Sequence, residues 1–97
     1  MMMIKRKLVW SSNFKRAYKK AVKKNTQIRD EIVAALHMME NDLYNYKLST
    51  HKLSGNLNGY YAASCGYDCR IIFTIKKDQT YQEVIVLITF GSHDAVY

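Results

Sequence analysis

A chain of 97 residues, 48% hydrophobic and 12% aromatic, has apolar side chain for one modest core and too little length for two, so a single domain over 1–97 is expected. No run of about 18 apolar residues offers a membrane-spanning helix, and MMMIKRKLVW lacks the apolar stretch that follows the charges of a secretory signal. Cys65 and Cys69 are too few for a disulfide scaffold, which reads as a cytoplasmic protein. The net charge of +7 is unevenly spread. Residues 1–24 hold nine Lys or Arg and no acid, whereas the other 73 hold six basic and eight acidic residues. Such a block suits a polyanion, either nucleic acid or an acidic protein, although solubility alone would also use it.

In chain order, Lys7 to Trp10 reads as a first strand, and Ser11, Ser12 and Asn13 are candidate helix N-caps. Phe14, Ala17, Tyr18, Ala21 and Val22 then share one helical face, with Lys15, Arg16, Lys19, Lys20, Lys23 and Lys24 on the other. Asn25-Thr26 breaks the pattern and can cap a second helix, whose stripe is Ile28, Ile32, Ala35, Leu36, Met39 and Leu43. Asp30 and Glu31 sit near its start, where the helix dipole favours acids. His37, nearly opposite the stripe, reads as a solvated histidine. The two helices are expected to form an antiparallel hairpin.

The segment from Lys47 to Gly59, with its Ser, Thr, Asn and two glycines, reads as an ordered loop. Three strands follow: Tyr60 to Ser64, Arg70 to Ile75 and Glu83 to Phe90. Ile71, Phe73 and Ile75 alternate with Arg70, Ile72 and Thr74, so Arg70 points away from the inward set. The run Val84 to Ile88 predicts a central strand buried on both faces. The order β-α-α-β-β-β gives an α+β fold, with a two-helix hairpin on one face of a mainly antiparallel four-stranded sheet. Ile28, Ile32, Leu36, Met39, Ile71, Phe73, Val86 and Ile88 are expected to be mostly buried.

Three segments carry a family likeness: the loop His51-Lys52-Leu53-Ser54-Gly55-Asn56-Leu57-Asn58-Gly59-Tyr60, the strand Tyr67-Asp68-Cys69-Arg70-Ile71-Ile72-Phe73, and the tail Gly91-Ser92-His93-Asp94-Ala95-Val96-Tyr97. With the element order and the basic first helix, they resemble the RelE superfamily of toxins, and most of all its YafQ-like branch. The resemblance implies a toxin of a type II toxin–antitoxin system, silenced by a cognate antitoxin. It further implies an endoribonuclease that acts on mRNA in the ribosomal A site and needs neither metal nor cofactor. The ribose 2′-OH attacks its adjacent phosphate and a 5′-OH leaves, which calls for a base, an acid and a cationic group beside the phosphate.

By position, the resemblance assigns His51 to a functional histidine before the loop, Asp68 to an acid, and Arg70 to an arginine facing the scissile phosphate. It assigns His93 to the tail general acid or base, and Tyr97 to an aromatic that stacks on a base or lends its hydroxyl. Lys52 and the basic residues of the first helix become candidates for RNA binding. This chain departs from the branch at Ser64, Cys69 and Thr89, where histidine, tryptophan and arginine are expected.

Plainer readings stand beside these. Arg70 could close a salt bridge with Asp68 or Asp94, and Asp68 suits a turn for local reasons. His51 could anchor its loop, His93 could be a hydrogen-bonding loop residue, and the helix lysines could be a solvated face. Cys65-x3-Cys69 lacks zinc spacing, and packing or oxidation across the hairpin is the simpler reading. Because the superfamily supports more than one activity, a ParE-like, non-enzymatic inhibitor of DNA gyrase is an alternative on the same fold, as is a decayed member that still binds antitoxin.

Overall fold

The computed structural model describes residues 5–66 and 68–92. Strand β1 (Lys7–Trp10) leads into helices α1 (Ser12–Lys24) and α2 (Thr26–Asn41). Ser11 caps α1, its hydroxyl oxygen accepting from the Phe14 N–H at 3.1 Å. Asn25 alone joins the helices. Its N–H donates to the Ala21 carbonyl to close α1, while its side-chain oxygen accepts from the N–H groups of Gln27 and Ile28 to open α2. Asp30 and Glu31 fall beyond the first turn of α2, so they gain less from the dipole than their nearness to its start suggests.

The strands are β2 (His51–Lys52), β3 (Tyr61–Ser64), β4 (Arg70–Lys77) and β5 (Glu83–Gly91), with short 3-10 turns at Tyr46–Leu48 and Gly55–Leu57. The sheet order is β1-β5-β4-β3-β2, with only β1–β5 parallel. The fold is α+β as expected, but the sheet has five strands. The extra one lies inside the segment expected to be loop, where His51 and Lys52 pair with Ala62 and Tyr61 at the sheet edge. Two residues are too few to show an alternating pattern in sequence.

Both helices cover one sheet face. Phe14, wholly buried, meets Trp10 and Phe90 edge-on with centroids 4.9 and 5.3 Å away, and Tyr18 packs on Trp10 at 5.1 Å. Ile32, Leu36, Met39, Ile71 and Phe73 are buried as expected, and Ile28 is half-buried against them. Val86 and Ile88 are not in this core. The buried residues of β5 are Ile85 and Leu87, while Val86 and Ile88 are half-buried on the uncovered face. The central position of β5 does not bury both its faces: opposite the helices Ala62 and Ile72 are buried, but Val86 and Ile88 stay half-buried. A β-bulge adds to the difference. Ile72 pairs with Thr89 and Phe73 with Leu87, so Ile88 is the extra residue and Phe90 turns back toward Phe14.

Candidate functional site on the open sheet face

Directly paired residues on neighbouring antiparallel strands share a face, so the register defines what Arg70 stands beside. Arg70 opens β4 between Ser64 of β3 and Gly91 of β5. The next row on the same face is His51, Ala62, Ile72 and Thr89. Arg70 and His51 therefore lie on one face, two strands apart, which is about 10 Å across the sheet. Ser64 and Thr89, two of the three departures from the YafQ-like pattern, fall in these same two rows.

Arg70 is half-buried and donates from Nη1 to its neighbour's carbonyl, Cys69 O, at 3.0 Å. The ion pairs among the described residues are Lys5–Glu40, Arg6–Glu83 and Arg29–Asp30, so Arg70 takes no carboxylate partner there. Gly91 places no side chain next to it. Among the described residues, the guanidinium therefore commits only one of its five donors, to a carbonyl. The bridge to Asp68 is not formed. Asp68 is exposed and lines a cavity of about 350 Å³ with Ile28 and Glu31 of α2, Cys69, Gly91 and Ser92.

His51 is exposed, with Nδ1 2.8 Å from the Ser49 carbonyl. A carbonyl can only accept, so Nδ1 carries the proton and a neutral ring offers Nε2 as acceptor. Lys52, one residue on, belongs by alternation to the other face at the sheet edge. His93 and Tyr97 lie outside the described residues, as do Asp94 and Tyr67.

The turn between β3 and β4 is closed covalently. Cys65 and Cys69, both buried, form a disulfide with Cα atoms 4.9 Å apart, and the Cys65 N–H donates to Cys69 O at 2.9 Å. The bridge brackets the turn immediately next to the Ser64–Arg70 pair. Within it, Gly66 has φ +84°, and a Cβ there would overlap the Glu31 carboxylate. No sequence signal marks Glu31 for this approach, because it depends on α2 crossing the turn.

Lys15, Arg16, Lys19, Lys20, Lys23 and Lys24 are all exposed, and none forms an ion pair among the described residues. Phe14 and Tyr18 point inward as the helical phase requires. This basic face lies on the outer side of the helical layer, so sheet and helices separate it from Arg70. His37 is exposed, as read from its phase. No helix among the described residues is long and apolar enough to cross a membrane.

A two-helix layer on one face of a β1-β5-β4-β3-β2 sheet is the fold of small bacterial toxins. A YafQ point mutant from E. coli matches with a TM-score of 0.75 at 17% identity, over 95% of this chain and 98% of that one. The YoeB/ParE toxin from Agrobacterium tumefaciens matches with 0.73 at 15% identity, over 90% and 98%. The E. coli DinJ-YafQ complex gives 0.73 at 18% identity, over 95% and 98%. No curated protein sequence matches this chain. The sequence profile described as "Bacterial toxin of type II toxin-antitoxin system, YafQ" matches residues 6–97, and the chain belongs to that family, within the RelE superfamily.

Proposed function

We propose that this toxin is a ribosome-dependent mRNA endoribonuclease of the cytoplasm. In this reading it cuts without a metal, by attack of a ribose 2′-OH on its own 3′-phosphate. The observation that carries the reading is Arg70, a half-buried cation at the start of a strand with no carboxylate partner among the described residues. It is suited to meet the charge that grows on a phosphate in the transition state. His51 Nε2 would take the 2′-OH proton as the oxygen–phosphorus bond forms. His93 would return a proton to the departing 5′-oxygen, and Tyr97 would stack on a base or lend its hydroxyl. Asp68 has the weakest claim, since it lines a cavity with α2 residues. The basic residues of α1, with Lys52, would hold ribosomal RNA phosphates.

The partner that keeps such an activity silent is an antitoxin. One of the matching structures is a complex of YafQ with DinJ, and another, from Staphylococcus aureus, is a YoeB-YefM complex. An acidic chain that folds on binding would complement the +7 charge.

Primer extension on mRNA from cells expressing the chain tests the reading. Cleavage within translated codons is expected, and Arg70→Ala and His93→Ala should each reduce it by about 10²-fold or more. Undiminished cleavage in both variants would overturn the site. Growth arrest with intact mRNA and stalled gyrase would favour the ParE-like alternative. No arrest, with antitoxin binding retained, would identify a decayed member.

A further inference from the structure

At the end of the sheet remote from Arg70, the β4–β5 hairpin turns through Asp78–Gln82, with the Asp78 N–H donating to Gln82 O at 2.9 Å and the Tyr81 N–H to Asp78 O at 3.0 Å. The Asp78 carboxylate accepts from Thr80 N, Thr80 Oγ1 and Gln82 N at 2.8, 2.7 and 3.1 Å. These bonds hold the carboxyl below the ordinary aspartate range, the Thr80 hydroxyl contributing most. The tip is therefore a built turn rather than a loose loop. Its left-handed position, at φ 64°, is filled by Tyr81. Glycine or asparagine suits that conformation, whereas a tyrosine there strains the backbone. The side chain gains no burial in exchange, since 81% of Tyr81 is exposed. A strained, exposed aromatic contributes nothing evident to the fold, so its use should lie in binding something else.

The surroundings indicate what that is. Tyr81 lines a cavity of about 380 Å³ with Lys5, Arg6, Lys7, Asp78 and Glu83. Glu83 is paired with Arg6 at 3.0 Å and Glu40 with Lys5 at 3.8 Å, while Asp78 keeps its charge and bonds within the turn. Lys7 and Lys76 form no ion pair among the described residues. Lys7 and Lys76 flank Val84 in one row of the open face. A flat ring beside cations is the chemistry that binds a single nucleic-acid strand, with a base stacked and phosphates neutralised. Strand β4 spans the sheet from Arg70 to Lys77, roughly 23 Å at about 3.3 Å per residue, so this is a separate place from the candidate site.

We propose that the β4–β5 tip, through Tyr81 with Lys7 and Lys76, is a second binding place for single-stranded RNA. Such binding needs no cleavage reaction. Its probe is therefore a fluorescent single-stranded oligoribonucleotide, 2′-O-methylated throughout so that no 2′-OH attack is possible, read by anisotropy with the full chain. Tyr81→Gly relieves the strained position, so it should raise the melting temperature while weakening RNA binding about 10-fold. Tyr81→Phe, which keeps the ring, should bind as the parent does. Joint replacement of Lys7 and Lys76 by glutamine should make the dependence of log K on log salt shallower, by about 0.7 for each phosphate no longer neutralised. A Tyr81→Gly protein that melts higher and binds RNA as tightly as the parent would overturn the proposal. So would a parent that does not bind the probe, or a variant that keeps RNA affinity and loses only antitoxin affinity.

Discussion

Arg70 commits one donor to the Cys69 carbonyl and has Ser64 and Gly91 for cross-strand neighbours, so its remaining donors are uncommitted to any described carboxylate. Geometry, and not charge alone, should then decide its role. Arg70→Lys retains the charge but replaces a planar fork with a point charge, and should recover only part of the cleavage missing in Arg70→Ala when the two are assayed on the same ribosome-bound message. Full recovery would mean that the fork is irrelevant. The turn that precedes Arg70 should be sensitive as well. Gly66→Ala places a Cβ at φ +84° against the Glu31 carboxylate, and should destabilise the fold by about 1–3 kcal/mol in urea melts. Adding Glu31→Ala removes the overlap but not the backbone strain, so the double variant should recover part of the stability and show a measurable coupling. Additive effects would mean that Glu31 moves aside freely.

Among the elements, α1 is held to the sheet chiefly by Phe14, fully buried between Trp10 and Phe90. Phe14→Ala should cost about 3–5 kcal/mol in a two-state melt, and a cost under about 1 kcal/mol would show that α1 is held elsewhere. The β4–β5 turn should respond to acid. Asp78 has its folded pKa lowered, so the stability it lends the turn is present above the ordinary aspartate value and is lost as pH falls through the depressed one. The amide signals of Thr80 and Gln82 should therefore shift below about pH 4, and Asp78→Asn should abolish that titration. Both helices are legible in the sequence because their caps and stripes are local: Ser11 and Asn25 stand where they are read, and Phe14 and Tyr18 share the inward face. The inward phase of β5 is not. Val84 to Ile88 is apolar at every position, so only the helical layer on one side and the bulge at Ile88 decide that Ile85 and Leu87 face the core. Candidate side chains are legible by type, but the shared face of Arg70 and His51 arises from the β2–β3–β4 register, and β2 is too short to read. Tyr81 carries no signal, because its left-handed position exists only once the turn is formed.

Across the whole molecule, the basic face of α1 and the Arg70–His51 face lie on opposite sides of the core. The six exposed cations of α1 look outward from the helical layer, while Arg70 and His51 share the open sheet face. Burying Phe14 and Tyr18 sets the outward phase of the lysines, and the strand register sets the other face. If α1 grips ribosomal RNA and the sheet face holds the message, binding and cleavage should be separable by substitution. Lys19→Glu with Lys23→Glu should leave the melting temperature within a few degrees, because both side chains are exposed, yet weaken co-sedimentation with ribosomes. Its salt dependence should become shallower by about one for each phosphate released. Arg70→Ala should do the reverse, co-sedimenting like the parent and cutting far less. Reversal of Lys19 and Lys23 without any change in sedimentation would return the α1 lysines to a solvated face. Failure of Arg70→Ala to associate with ribosomes, with the fold intact, would instead mean that one continuous surface performs both tasks.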